Sequence, residues 1–204
     1  MLIKIYPDNP AEKYIRQIAE TMKNGGVVII PTDSVYAIAC DINRPKAIEK
    51  VAQLKGLKVD KADFSFLFNK LSTISEYTKP IHNDVFKLMK KNLPGPFTFI
   101  LDANNKIPKL FKNKKKTLGV RIPDNDIVHE IIKEIGNPIL SSSVIDEDDI
   151  VEYTTDPSLI HDRFKDLVDF VIDGGYGNNE ASTVVNCTGG DIEIIREGVK
   201  EIRM

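Results

Sequence analysis

The sequence lacks the features that would tie a protein to a membrane or to nucleic acid. Its 204 residues carry 28 lysines and arginines against 30 aspartates and glutamates, so the net charge is only −2. A charge this small does not by itself attract nucleic acid or an anionic membrane surface. No apolar run is long enough to span a bilayer, and the first residues, MLIKIYPDNP, lack a signal-peptide pattern. We therefore expect a globular, cytoplasmic protein.

Metal-binding, redox and phosphate-loop patterns are missing as well. The two cysteines, Cys40 and Cys187, have a separation that fits no zinc or redox motif, and the three histidines form no ligand cluster. Neither GxxxxGK[ST] nor GxGxxG, the common glycine-rich phosphate loops, occurs in the chain. We expect buried cysteine thiols and no metal site made of protein side chains.

What the sequence has is an alternation of strand-like and helix-like segments. Short apolar runs such as VVII, residues 27–30, are typical of strands covered on both faces. The alternation predicts an α/β fold with a mixed, twisted sheet flanked by helices. No repeat or flexible linker divides the chain, so we predict a single domain over residues 1–204. The predicted strands are 2–6, 27–30, 63–68, 96–101, 117–123, 138–144, 167–173, 182–187 and 191–197, and predicted helices begin near residues 10, 45, 80 and 125.

Two predicted strands carry arginines whose charge needs a partner. In TLGVRIP, residues 117–123, the large apolar side chains alternate onto one face and Arg121 lies on the other. Arg196 ends the last strand, on the predicted face of Ile192 and Ile194. An unpaired buried charge is costly, so each arginine needs an anion, either a phosphate or one of the chain's own carboxylates. For a single arginine, composition favours the salt bridge.

Serines and lysines extend this set of polar candidates. In PILSSSV, residues 138–144, Ser141 and Ser143 share one strand face. Lys55 and Lys58 lie around the C-terminal end of the second predicted helix. Lysines there commonly complement the helix dipole, and the alternative is a cationic rim that faces a triphosphate.

Thr32 and Ser34 follow the apolar strand VVII directly, in the segment PTDS. Their hydroxyls either complete a turn behind Pro31 or bind a small polar ligand. The residues alone support the two interpretations about equally.

Five segments occur in an order and spacing that are more specific than any one of them. The first is GGVVIIPTDSVYAIACDINRPKAIEKVAQLKG, and the others are LPGPFTFIL, LGVRIP, PILSSSV and ASTVVN…IIREG. From about Gly25 to Gly198 they resemble the YrdC/YciO family, the threonylcarbamoyl-adenylate synthases and their relatives, with the YciO branch as the nearest likeness. The resemblance implies a YrdC-like α/β fold with a concave, positively lined cleft.

The resemblance also implies a chemistry. Family synthases use ATP, L-threonine and bicarbonate to form threonylcarbamoyl-AMP and pyrophosphate for the modification of adenosine-37 in tRNA, with Mg²⁺ bound through the phosphates and tRNA-modification proteins as partners. By this resemblance Thr32 and Ser34 bind threonine, while Lys55 and Arg121 are catalytic through positioning and charge neutralisation. Nucleotide binding is expected at Lys55, Lys58, Arg121, Ser141, Ser143 and Arg196.

Three positions depart from the family pattern. Leu57 stands where synthases have the arginine of a KxR motif, Ser143 where they have asparagine, and Ala37 where they have a turn glycine. Leucine removes a permanent cation with forked donors, and serine lacks an amide. We therefore expect either weak or altered synthase activity or a non-catalytic module that binds nucleotide or double-stranded RNA. The run KLFKNKKK, residues 109–116, could touch RNA phosphates, although we prefer a solvated loop.

Overall fold

A mixed sheet organises the protein. The structure, a computed structural model, describes residues 1–62, 64–108, 116–144 and 152–204. The strands of the described part are β1 (Leu2–Lys4), β2 (Val27–Ile30), β3 (Ala37–Asp41), β4 (Ser65–Leu67), β5 (Phe97–Asp102), β6 (Thr117–Arg121), β7 (Ile139–Ser143), β8 (Phe170–Asp173), β9 (Thr183–Asn186) and β10 (Glu193–Arg196). They form one sheet in the order β1-β8-β2-β3-β7-β4-β6-β5-β9-β10, with parallel and antiparallel pairs together.

Helices lie on both faces of this sheet. In the described ranges they are α1 (Glu12–Lys23), α2 (Pro45–Leu54), α3 (Leu71–Ile74), α4 (Asn83–Asn92), α5 (Asp126–Ile135), α6 (Glu152–Thr155) and α7 (Pro157–Phe164). None of them is long and apolar enough to cross a bilayer. Both cysteines are buried as free thiols, as the sequence predicts.

The two hydrophobic clusters that pack on the sheet differ in extent. The larger one joins α2, α4 and α7 to strands from β2 to β9. The smaller one joins α1 and α5 to β1, β8, β2 and β3, and beyond these strands it reaches only Leu67 of β4 and Ile139 of β7. The apolar run VVII contributes to both clusters, because Val27 and Ile29 belong to the larger cluster while Val28 and Ile30 belong to the smaller one. On the second face, α1 and α5 therefore leave the neighbouring strands β4, β6, β5, β9 and β10 largely uncovered.

Some elements differ from the sequence prediction. The predicted strands and the four predicted helices are all present: β2 has the predicted bounds, β5 is shifted by one residue, and the others are shorter. The sequence did not predict β3, α3, α6 and α7. Ala37 opens β3, where it pairs with Ser143, so it lies in a strand and not in a turn. Residues 109–115 of the basic run are outside the described residues.

The predicted face of Arg196 is wrong. The register shifts between Ile194 and Arg196, so that Ile194 pairs with Val185 and Arg196 pairs with Val184. Val185 belongs to the core, whereas Val184 lines the uncovered face. Because paired residues of neighbouring strands share a face, the shift places Arg196 opposite to Ile194.

Candidate active site

The uncovered half of the sheet forms a cavity of about 840 Å³. Its walls combine polar side chains with apolar ones such as Phe64, Phe66 and Leu118. The structure brings five of the predicted site residues to this one surface, and they are Ser34, Arg121, Ser141, Ser143 and Arg196.

The PTDS segment forms a turn that is bonded to itself. The Thr32 hydroxyl donates to the carbonyl of Val35 at 2.7 Å and accepts from the backbone N–H of Ser34 at 3.1 Å. Nη2 of Arg121 donates to Ser34 Oγ at 2.8 Å, to Thr32 Oγ1 at 3.2 Å and to the Asp33 carboxylate. The polar cluster after VVII therefore surrounds one end of a buried guanidinium.

Arg121 and Asp33 form an ion pair that is almost closed to solvent. Their side chains are only 9% and 10% exposed, and Asp33 Oδ2 also accepts from the backbone N–H of Asp124 at 2.8 Å. The salt bridge that composition favoured is thus present for Arg121. Nε of Arg121 is nevertheless buried and has no hydrogen-bond partner within the described residues. A buried N–H without an acceptor is costly, and this one belongs to a side chain that lines the cavity.

Arg196 is held differently. Its Nε and Nη2 donate to the carbonyl of Ser182 at 3.2 and 2.9 Å, and the Ser182 hydroxyl lies 2.9 Å from Thr98 Oγ1. No carboxylate in the described ranges lies within salt-bridge distance of Arg196, so the salt bridge favoured by composition is not found here. Burial, and then the charge of Arg121, lower the pKa of Arg196. Two guanidinium groups thus line the cavity: Arg121 is buried, whereas Arg196 is exposed and has no carboxylate partner in the described part of the chain.

Lys55, at the end of α2, does not line the cavity itself but contacts Ser143, which does. Its Nζ donates to the carbonyl of Ser143 at 3.0 Å, across 88 positions of sequence. Burial, and then the charge of Arg163, lower the pKa of Lys55. Lys58 is exposed and Leu57 is 45% exposed, and neither lines the cavity, so the structure does not bring these two together with the other site residues.

Thr32 does not line the larger cavity, but it contacts Arg121, which does. It lines a second, shallower cavity of about 510 Å³ together with Asp33, Ser34 and the loop 176–179. Ser141 lies on β7, where its hydroxyl donates to the Ser65 carbonyl at 3.2 Å.

Sequence reasoning missed four residues of this region: Asp33, Thr98, Lys116 and Ser182. Sequence reasoning assigns Asp33 no site role of its own, and it favours a solvated loop for the run that ends at Lys116, whereas Lys116 lines the cavity. Thr98 carried a usable signal, because it is a polar residue inside the apolar strand PFTFIL. Within the described residues, no group of three or more His, Cys, Asp or Glu side chains could hold a metal ion.

Comparisons with known proteins bear on this site. The Sua5/YciO/YrdC family model, described as "Telomere recombination", matches residues 20–198. The chain is 37% identical to the uncharacterised protein YciO of Escherichia coli K12 over 98% of this chain and 96% of that protein. The crystal structure of E. coli YciO superposes with a TM-score of 0.90 at 36% identity and covers 100% of this chain and 98% of that one.

Two further relatives carry informative names. A putative threonylcarbamoyl-AMP synthase of Methanocaldococcus jannaschii is 30% identical over 99% of this chain and 95% of its own length. Sua5 of P. abyssi, solved in complex with L-threonine, has a TM-score of 0.85 at 23% identity and covers 97% of this chain and 57% of that one. At that identity the second likeness concerns the fold alone.

Proposed function

Because the chain belongs to the Sua5/YciO/YrdC family, we propose that it is a threonylcarbamoyl-AMP synthase-type enzyme, with weak or altered activity, that joins ATP, L-threonine and bicarbonate. The observation that carries the proposal is the pair of arginines in one cavity. Arg121 is neutralised by an internal carboxylate, and Arg196 is held by a carbonyl and keeps its charge. Such a cavity offers one neutral end and one cationic end.

The cationic end suits the nucleotide. Arg196 is exposed, and no carboxylate in the described ranges lies within salt-bridge distance of it. A triphosphate would pair with this guanidinium, and charge-assisted hydrogen bonds to phosphate are the stronger kind. Ser143 lies beside Lys55 and offers a hydroxyl to the same group.

The end at Arg121 suits the amino acid. The free Nε–H of Arg121 is a single directed donor, and the hydroxyls of Ser34 and Ser141 lie on the same wall. These groups match a carboxylate or carbamate oxygen better than they match a polyanion, because Asp33 already cancels the charge of the guanidinium. This assignment moves Arg121 from phosphate binding toward the binding of threonine and its carbamate.

The reaction needs positioning and charge neutralisation more than covalent catalysis. The threonine nitrogen attacks bicarbonate carbon, and the loss of water gives a carbamate. A carbamate oxygen then attacks the α-phosphorus of ATP, and pyrophosphate leaves. Both partners of the second step are anions, so Lys55 and Arg196 would contribute by stabilising negative charge.

Mg²⁺ would enter with the nucleotide. Among the described residues that line the larger cavity, Asp60 supplies the one carboxylate, and a single carboxylate is too few ligands for a protein-held Mg²⁺ site. ATP phosphates would therefore carry the ion, and no step is assigned to a protein-bound metal.

A non-catalytic nucleotide-binding module is the second candidate. Leu57 favours it, because the side chain at the position of the family arginine is exposed and outside the cavity. Binding of double-stranded RNA, tRNA-modification partners and a cytoplasmic location stay predictions. Of the basic run, Lys116 alone is described.

Pyrophosphate release separates the two candidates. We expect release from ATP that requires both threonine and bicarbonate and falls when either is omitted. Arg196→Ala should lower the rate by about 10²–10³, the usual effect of removing one charge-stabilising donor. Arg16→Ala, which removes an exposed arginine on α1, is the matched control and should leave the rate unchanged. Pyrophosphate release that does not depend on threonine and bicarbonate would contradict the synthase assignment.

A further inference from the structure

We propose that Asp33 is a specificity-determining residue, whose carboxylate cancels the charge of Arg121 and thereby keeps phosphate out of that end of the cavity. The inference deepens the proposed function and rests on it, because it concerns how one cavity sorts an amino acid from a nucleotide. Asp33 itself does not line the larger cavity, so it acts through Arg121.

The geometry fixes both partners of the ion pair. Asp33 Oδ1 accepts from Arg121 Nη2, and Oδ2 accepts from the backbone N–H of Asp124 at 2.8 Å. Thr32 and Ser34 add hydroxyl acceptors to the same arginine nitrogen. One end of the guanidinium is therefore fully engaged by the turn, and its Nε–H remains without a partner in the part of the chain that is described.

Burial makes this neutralisation effective. Solvent screens exposed ion pairs strongly, but the two side chains here are 9% and 10% exposed. A ligand near Nε therefore meets a dipolar pair with no net charge. It gains one directed hydrogen bond, and it gains little Coulomb attraction from a second negative charge.

Arg196 provides the contrast within the same cavity. The acceptors that hold it are the carbonyl and hydroxyl of Ser182, which carry no formal charge. An anion at Arg196 therefore meets a guanidinium without a carboxylate partner in the described ranges, although that side chain is exposed and solvent screens part of its charge. Without Asp33, the buried guanidinium of Arg121 would also lack a carboxylate partner, and phosphate could occupy the place of the amino acid.

Asp33→Asn tests the role, because it removes the charge and keeps the shape and an acceptor. With inorganic phosphate as the probe in titration calorimetry, we expect Asp33→Asn to bind about tenfold more tightly than wild type, the change that about 1.4 kcal/mol produces. Threonine affinity should not rise in parallel. Asp124→Asn is the matched control, since Asp124 is exposed and contacts Asp33 through its backbone N–H.

We expect Arg121 to be the source of the tighter phosphate binding in Asp33→Asn. Adding Arg121→Gln to Asp33→Asn should abolish the tighter phosphate binding, because the uncompensated cation is gone. Arg196→Ala should not abolish it. Equal phosphate affinity in wild type and Asp33→Asn would overturn the proposal, and so would a gain that survives Arg121→Gln.

A buried arginine without its carboxylate can cost enough to unfold the protein. If Asp33→Asn does not fold alone, thermal unfolding in phosphate decides the question, because phosphate should raise the Tm of the variant more than that of wild type. An equal increase would count against Asp33. If wild type binds neither ATP nor threonine, the proposed function fails, while the phosphate comparison still tests Asp33 independently.

Discussion

At the scale of single residues, the lowered pKa of Lys55 links protein stability and anion binding to pH. Burial, and then the charge of Arg163, lower its pKa below the ordinary 10.5. In the folded protein without a ligand, the stability therefore rises as the pH rises through this lowered pKa, because the unfolded chain holds the proton more tightly. A bound phosphate would reverse the shift by stabilising the ammonium.

We predict that ATP binding takes up protons at alkaline pH. Below the lowered pKa of Lys55 the amine is already protonated, so ATP binding does not change its protonation state. Between that pKa and 10.5 the free protein carries some neutral amine, which the phosphates return to the charged form. Calorimetry in buffers of different ionisation enthalpy measures the uptake. Lys55→Met should abolish it, and an unchanged uptake in that variant would exclude Lys55 as the source.

At the scale of elements, the segment after β10 determines where Arg196 lies. A Cβ on Gly198 would lie 2.2 Å from the carbonyl oxygen of Ala181 and 2.5 Å from the carbonyl carbon of Ser182. The N–H of Gly198 also donates to Thr183 Oγ1 at 3.0 Å. Because the Ser182 carbonyl holds Arg196, the packing of this segment and the position of the guanidinium are coupled.

Gly198→Ala should therefore affect both stability and nucleotide binding. The methyl group meets backbone atoms, which cannot move aside as a flexible side chain does, and overpacking of this kind costs about 1–3 kcal/mol. We expect a lower free energy of unfolding in denaturant titrations and weaker ATP binding. Gly136→Ala is the control, because Gly136 has φ 86° at the end of α5 and open space around its Cβ position. Gly136→Ala should lose stability without a change in ATP affinity. Equal losses of ATP affinity in both variants would contradict the coupling between Gly198 and Arg196.

The elements also show where sequence reasoning succeeds and where it stops. Period-two alternation placed Arg121 on the correct face of β6, because that strand is regular. It failed for Arg196, because the register shift in β10 is a backbone irregularity that leaves no mark on the alternation. Strand β3 escaped prediction because AIACD follows turn residues closely and begins with alanine, which is depleted in strands.

At the scale of the whole molecule, the cavity follows from unequal coverage of one sheet. The larger cluster packs along one face, while α1 and α5 cover only part of the other. The sequence could supply strand faces other than that of Arg196. Through the family resemblance it could also supply candidate residues that the structure brings to one cavity: Ser34, Arg121, Ser141, Ser143 and Arg196. It could not supply the strand order or the pairing of Asp33 with Arg121, 88 positions apart, because both depend on contacts between distant segments.

The central claim is that one cavity joins an amino acid, bicarbonate and ATP. The most direct test is to incubate the protein with ATP, L-threonine and carbon-13 bicarbonate and to identify adenylates by mass spectrometry. We predict an adenylate whose mass contains threonine and one labelled carbon, formed in step with pyrophosphate and reduced in Arg196→Ala. Consumption of ATP without a labelled threonine adenylate, or no consumption by a folded protein that binds ATP, would contradict the claim.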